Sequence, residues 1–439
     1  MNTYAMRPAY PYRKVFIVDG SRTPFLKASG RPGSLTSSDL ALAAARPLMM
    51  RQPFEPDALD EVILGCVMPR ADEANIARLV SLRLGCGDAV PAWTVQRNCA
   101  SAMQALDSAA THISIGRSDL VLAGGCEAMS HAPVLFKPEM VTWLSDWQKA
   151  RSNRQKLAAL STLRPKLFAP VFGLAKGLTD ATVNLSMGET AEVLAYHFDI
   201  QREAMDQFAL SSHQKLAHAV DKGYLPEIEP IINRNGFIFE QDNGLRKESS
   251  LAQLAKLRTV FDQSGSVTAG NSAQLTDGAA CVLLASQDAI DYYHLPILGE
   301  IVDSHWSGLD PSKMGLGPVY ASTALLQRHQ LGLGDIDFWE INEAFASQVL
   351  ACLTAWEDDT FCQDELNLDA AFGSLDSRCL NVDGGAIALG HPVGATGARL
   401  VLHLLHVLKR HDAKLGVATL CIGGGQGGAM LISREGATS

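Results

Sequence analysis

No two of the nine cysteines form a Cys-x-x-Cys pair: Cys66, Cys86, Cys99, Cys126, Cys281, Cys352, Cys362, Cys379 and Cys421 are scattered and odd in number. That pattern speaks against a disulfide framework and against a zinc site, and it fits the reducing cytosol, so a cytoplasmic protein with no bound metal is expected. Basic charge is scarce. Against 47 acidic residues stand 37 Lys and Arg, a formal net charge of −10, which leaves no excess to neutralise phosphates and excludes a nucleic-acid partner. No stretch approaches the roughly 20 apolar residues that span a bilayer, so any membrane role is at most peripheral. The opening Met1–Lys14, rich in Tyr, Pro and Arg, lacks the apolar core of a secretory leader.

What is present is enough apolar material, 47% over 439 residues, for two or three layers sharing a core. Short apolar runs at Val15–Val18, Val62–Gly65 and Leu120–Ala123 alternate with helical patterns, as buried parallel strands do. The rhythm returns at Leu298–Val302, Phe338–Ile341 and Leu415–Leu420, with a helix over Leu400–Leu408. Two halves alike in layout are expected, separated from about Ala132 to Thr276 by a less regular region. Within that region, 136–170 interleaves Lys149, Arg151, Arg154, Lys156, Arg164 and Lys166 with Trp143, Leu144, Trp147, Leu157, Leu160, Leu163 and Leu167 at helical spacing. Two readings fit it: a solvated helix packed on its own loop domain, or a docking surface for a membrane or a partner subunit. Thr354–Ser377, with its acidic clusters, is expected to be an exposed excursion.

Three glycine-rich or helix-initiating segments carry reactive side chains. Gly390-His391-Pro392-Val393-Gly394-Ala395-Thr396-Gly397 and Cys421-Ile422-Gly423-Gly424-Gly425 place a histidine and a cysteine on turns where a ligand can reach main-chain N–H groups. Gln96-Arg97-Asn98-Cys99 precedes an amphipathic run over Ala100–Ile115, so Cys99 is expected at a helix N-terminus, which favours the nucleophilic thiolate.

Together with Asn342-Glu343-Ala344-Phe345, these segments resemble the catalytic set of the thiolase family. Ser21–Phe25, Gly124–Ser130, Gly177–Asp180, Met187–Glu192, Thr268–Asn271 and Asp277–Ala280 match further family stretches in order, so the resemblance covers almost the whole chain. It implies an α/β protein of the thiolase fold, five-layered α/β/α/β/α, with two similar halves plus a loop domain. The implied division is 1–131 (with a return segment at about 277–297), a substrate-covering loop domain at 132–276 bearing the basic insertion, and 298–439.

The resemblance also assigns roles. Cys99 is the nucleophile, His391 its base and Cys421 the second acid–base group; Asn342 holds a water beside His391, and the N–H groups of Cys99 and Gly423 form an oxyanion hole. Arg246, Phe261, Ala269, Gly270, Met187, Met314, Ala344 and Phe345 fall where thiolases line the path of coenzyme A. Where the family offers a serine to the pantetheine this chain has Ala273, so the hydrogen bond is expected to be lost or to move to Ser272.

Coenzyme A is implied as co-substrate, with no tightly bound cofactor. A homodimer or dimer of dimers is implied too. The insertions resemble those of trifunctional-complex β-subunits, which brings in a hydratase/dehydrogenase partner subunit, although that group usually begins its Glu-Ala-Phe motif with histidine rather than Asn342. The expected activity is thiolytic cleavage of 3-ketoacyl-CoA in fatty acid β-oxidation. The alternatives are an acetyl-CoA C-acetyltransferase acting on acetoacetyl-CoA and, remotely, a non-catalytic scaffold of a lipid-oxidation complex. Ketoacyl synthases pair cysteine with histidine as well, but typically lack the second cysteine that Cys421 supplies.

Overall fold

The computed structural model describes residues 13–434 except Arg234; the leader reading at Met1–Lys14 therefore falls almost wholly outside the described residues. The nine long strands are β1 (Phe16–Arg22), β2 (Glu61–Gly65), β3 (Ala92–Val95), β4 (Leu120–Ala128), β5 (Thr276–Ala285), β6 (Gly299–Gly308), β7 (Phe338–Ile341), β8 (Leu415–Ile422) and β9 (Gln426–Ser433). They run in the order β7-β8-β9-β6-β1-β5-β4-β2-β3. The helices that matter here are α1 (Ser37–Met50), α2 (Ile76–Leu84), α3 (Ser101–Ser114), α4 (Pro138–Lys149), α5 (Asn153–Ser161), α6 (Met187–His197), α7 (Arg202–Lys222), α8 (Gly317–Arg328), α9 (Ala346–Glu357), α10 (Asp359–Leu366) and α11 (Thr396–Arg410).

The order splits into two copies of one plan. In the first, β3, β2 and β4 are parallel and β5 and β1 antiparallel. In the second, β7 and β8 are parallel, a parallel bridge at Trp339–Leu380 extends that edge, and β9 and β6 are antiparallel. The copies meet where Phe16 pairs with Glu300 and Ile17 with Gly299. Two expectations are corrected here. The runs at Val15–Val18 and Leu298–Val302 form antiparallel strands, which pair with Thr276–Ala285, with Gln426–Ser433 and with each other. The strands Thr276–Ala285 and Gln426–Ser433 went unread as such, being short-side-chain, glycine-containing runs that lack the β-branched pattern.

α3 and α11 form the middle layer. Their residues share one core with strands of both copies, including Ile63, Val121, Val282, Ala418 and Met430. α11 is buried along nearly its whole length, as a helix covered on every side must be. Gly397 makes the approach possible, since a Cβ there would lie 2.5 Å from Met103 N and 2.6 Å from Met103 Cβ. α1 and α2 pack on the outer face of the first copy, α8 and α9 on that of the second, which completes five layers.

Thr354–Ser377 is not a bare excursion. α9 runs on to Glu357 and α10 follows it, burying Phe361 and Cys362, while Leu375 is also buried in the core that holds Trp356; its acidic residues face outward.

A buried charge chain fastens the intervening segment to both copies. Arg22 in β1 donates to both oxygens of Asp242 (2.7 and 2.9 Å) and to Glu227 (3.3 Å). Glu227 also meets His403 of α11 (3.1 Å), which contacts Asp383 (3.1 Å), itself held by Arg410 (2.7 Å). The carboxylates outweigh burial and push His403 up to about 10, and Arg22 and His403 hold Glu227 well below the usual carboxylate range. Removing one member strands a buried charge, which typically costs about 3–5 kcal/mol.

Candidate active site

Cys99 lies on the turn between β3 and α3. Asn98 takes φ +44°, and Ser101 Oγ accepts from Arg97 N–H (2.9 Å) and donates to Asn98 O (2.7 Å), which fixes the turn. Asn98 Nδ2 donates to Gly423 O (2.7 Å) and ties it to the loop after β8. The Cys99 sulfur in turn accepts from the N–H of Gly423 and from its own. Those two donors stabilise negative charge here, yet burial is the larger effect and Glu127 adds to it, so the thiol is pushed above its ordinary value. Cys99 does precede the first turn of α3, as expected, but the partly buried thiol is pushed up rather than down, so a base must take its proton.

His391 follows Gly390, whose φ of +106° and close approach to Thr276 leave no room for a side chain. Its backbone N–H is shared between Gln274 O and Thr276 Oγ1, both at 3.2 Å. Nδ1 lies 2.7 Å from Thr396 Oγ1, and that hydroxyl donates its one proton to Pro392 O at 3.0 Å. The oxygen must then accept from Nδ1–H, which leaves the lone pair on Nε2, where Asn342 Nδ2 lies at 3.4 Å. Burial and the Arg399 charge push His391 down to about 3, so it is a neutral acceptor throughout the physiological range. Asn342 Oδ1 is buried with no protein partner, an acceptor free for a water or a ligand. Glu343 beside it takes hydrogen bonds from Ser212 Oγ (2.6 Å), Asn381 Nδ2 (2.9 Å) and Ile387 N–H (3.2 Å), and so braces the segment leading to His391.

Cys421 is the penultimate residue of β8 and is buried. Burial first, then the nearby Cys99 and Cys352 thiols, push it well above the ordinary thiol value. Around it Met187, Phe261, Met314, Ala344 and Phe345 gather into one apolar cluster with Ala191 and Val267, and the rings of Phe261 and Phe345 meet edge to face at 6.0 Å. Five of the expected coenzyme-A positions thus converge on the second cysteine. Ala269 and Gly270 lie on the adjoining loop, which Glu192 of α6 holds through Ser266 N–H and Val267 N–H (2.8–3.0 Å).

Arg246 stands apart and exposed. It lines a cavity of about 330 Å³ with Lys247, Ser249, Gln253, Leu254 and Leu257, and the last two pack against Gly270, where a Cβ would come within 2.5–2.7 Å of them. Ser272 departs from expectation. It is 8% exposed and its hydroxyl donates to Thr268 O at 2.7 Å, so its proton braces the loop and is not free to be offered to a ligand.

A second cavity, of about 180 Å³, opens at Cys99 and is walled by Val67, Met68, Leu178, Met187, Val393 and Gly423 among others. Glu127 lies behind it, accepting from Val67 N–H (2.9 Å), Met68 N–H (3.0 Å) and the Gly394 N–H, so one carboxylate clamps two walls. Burial outweighs those bonds and pushes it up to about 7. Thr396, Asn98, Glu127 and Glu192 were not singled out from sequence. All four lie inside the family-like stretches given above, and for Thr396 a hydroxyl five residues after a histidine at a helix start was the one available sign.

The assembled chemistry is a thiol facing two N–H donors, a neutral imidazole with a defined free nitrogen, and a second thiol held protonated. Among the described residues no group of His, Cys, Asp and Glu is arranged to hold a metal, and no helix is long and apolar enough to cross a membrane.

Comparison with known proteins is consistent along the chain. The family profile "Thiolase, N-terminal domain" matches residues 15–288 and "Thiolase, C-terminal domain" residues 295–434. The 3-ketoacyl-CoA thiolases of Yersinia pestis (strain Pestoides F) and Yersinia pseudotuberculosis (strain YPIII) are each 38% identical over 430 residues, covering 96% of this chain and 97% of theirs. Human mitochondrial 3-ketoacyl-CoA thiolase in complex with CoA superposes with a TM-score of 0.83 at 37% identity, covering 99% of this chain and 100% of that one. The Bacillus anthracis acetyl-CoA acetyltransferase gives 0.82 at 36%, covering 97% and 100%.

Proposed function

The chain belongs to the thiolase family, and on that premise we propose that it cleaves 3-ketoacyl-CoA with CoA into acetyl-CoA and an acyl-CoA shortened by two carbons. The carrying observation is the pairing of Cys99, under two N–H donors, with a Cys421 kept protonated by burial. His391 Nε2 takes the Cys99 proton and the thiolate attacks the keto carbon. The bond between that carbon and its CoA-side neighbour breaks, leaving an acyl group on Cys99 and an acetyl-CoA enolate. Cys421 gives the enolate its proton. A weakly acidic thiol suits this step, because it keeps its proton until a base as strong as the enolate is there to take it. As thiolate, Cys421 then takes the proton of an incoming CoA thiol, CoA takes the acyl group, and the departing Cys99 recovers its proton from His391. Oxyanions that form on the way are met by His391 with Asn342 and by the N–H groups of Cys99 and Gly423; losing one such donor typically costs about 2.7–4 kcal/mol.

In this reading Arg246 and its neighbours receive the nucleotide end of CoA, the loop at Ala269 and Gly270 its pantetheine, and the cavity at Val67, Met68 and Leu178 the acyl tail. The 132–276 segment acts as the substrate-covering loop domain between the halves 1–131 and 298–439. We place the enzyme in cytoplasmic β-oxidation, as a homodimer or dimer of dimers, with CoA as co-substrate, no resident cofactor, and a hydratase/dehydrogenase subunit as the partner to seek. The test is CoA-dependent thiolysis of acetoacetyl-CoA and of longer 3-ketoacyl-CoAs. Faster turnover of the longer substrates is expected, and loss of all turnover in a folded Cys99→Ala protein. Activity confined to acetoacetyl-CoA would make it an acetyl-CoA acetyltransferase, and a Cys99→Ala protein that still turns over would end the assignment.

A further inference from the structure

α4 and α5 form a structure that buries almost nothing of its own. Met140 is the one buried residue of α4 and α5 has none. What holds the pair is local: a capping box between Ser152 and Gln155, the Trp143 Nε1–H donated to Ala159 O at 2.9 Å, and Trp143 stacked on Trp147 at 5.7 Å. A nine-residue helix without a packed face is marginal in water. Of the 21 large hydrophobic residues exposed among the described residues, nine fall between Val134 and Phe172, including Phe136, Leu157, Leu160 and Phe168. So dense a cluster marks an interaction surface rather than scattered surface apolarity.

Charge narrows the occupant. Between 137 and 176 the sequence carries eight Lys and Arg, all exposed, against Glu139 and Asp146, in a chain whose net charge is −10. A second copy meeting this face across a two-fold axis would set positive charge on positive charge. The basic residues also share helix faces with the apolar ones, Lys156 standing one turn from Leu160. Such side chains reach outward to phosphates while Leu and Phe enter the boundary below.

We propose that this face docks the protein on an anionic lipid surface. The segment also leads straight to the chemistry, for the hairpin of Val134–Leu135 with Val171–Phe172 closes it, and Leu178, six residues on, walls the cavity at Cys99. Docking there brings the acyl cavity near the phase into which long acyl chains partition.

The test is flotation of the full-length protein with vesicles of phosphatidylcholine alone and with about 30 mol% phosphatidylglycerol, at low and high salt. Binding only to the anionic vesicles, weakened by salt, is expected. The combined Arg151→Gln, Arg154→Gln and Lys156→Gln variant should bind roughly a hundredfold more weakly, and Leu157→Asp with Leu160→Asp should abolish binding. Both variants alter exposed positions that line neither the cavity at Cys99 nor the one at Arg246, so thiolysis of acetoacetyl-CoA without vesicles should be unchanged, and binding is read whether or not that activity is found. No flotation with anionic vesicles overturns the proposal, as does equal binding to neutral ones. Self-association that ignores vesicles but is lost in the Leu157/Leu160 variant would also overturn it, as would saturable binding to a purified acidic protein in preference to lipid.

Discussion

Thr396→Val should slow catalysis by misplacing a proton two bonds away from the reacting nitrogen. The substitution keeps the shape of a fully buried side chain and deletes the oxygen 2.7 Å from His391 Nδ1. With the hydroxyl gone, Nδ1–H is a buried donor without a partner, a state that costs about 1–3 kcal/mol. The imidazole escapes by moving its proton to Nε2, the nitrogen that must accept from Cys99. Either way the competent form becomes scarcer by the same free energy, and kcat should fall roughly 5- to 150-fold. KM for CoA should barely move, since Thr396 lies outside the cavities at Arg246 and Cys99. Steady-state thiolysis of acetoacetyl-CoA with CoA varied would separate the two constants, and Thr396→Ser should restore most of the rate. A valine variant within twofold of the parent would refute the tautomer assignment; an equal loss in the serine variant would point to packing instead.

Three further outcomes follow from the same geometry. Iodoacetamide inactivation through Cys99 should keep accelerating through the alkaline range, because burial holds the thiol above 9.0; a rate that levels off by about pH 7 would reveal a pre-formed thiolate. Glu127→Gln should flatten a slope in the stability curve. The folded carboxyl binds its proton up to about 7, against 4.5 when unfolded, so its contribution falls as pH rises through that window, by about 3 kcal/mol in all. Urea midpoints at about pH 5 and pH 8 would show the parent losing that stability relative to the variant, and parallel curves would count against the buried charge. Gly188→Ala would put a Cβ 2.2 Å from the Phe261 ring, displacing it from Phe345. KM for CoA should rise several-fold with kcat less affected, and unchanged binding would remove Phe261 from the cofactor path.

Much of the site could be read in the chain because its loops announce themselves. Glycine at 390 and 423 and cysteine or histidine beside it is a rare conjunction, and each of the three segments lies where the alternation of strand and helix places a loop. The strands that went unread, Thr276–Ala285 and Gln426–Ser433, are built from Ala, Gly, Leu and Met, whose apolar runs fit a helix or a strand equally well. The state of Cys99 was misjudged for a different reason. A helix terminus is a local property visible in sequence, whereas the desolvation that outweighs it comes from segments the fold packs around Cys99, among them Leu178, Met187 and Val393. Thr396 was hidden likewise, for its meaning depends on where one hydroxyl proton goes.

The central layer also has a bearing on how the protein comes into being. α3 is made well before α11, and neither can be covered until the other is in place. A ribosome that has not yet made α11 therefore holds a long nascent stretch whose first sheet shows its inner face to water, a species prone to sticking and a natural client for chaperones. The nucleophile and its base come from those same two ends, so recovered turnover after dilution from denaturant should trail the return of helical signal. Enzyme activity would then be the clock for the last event of folding.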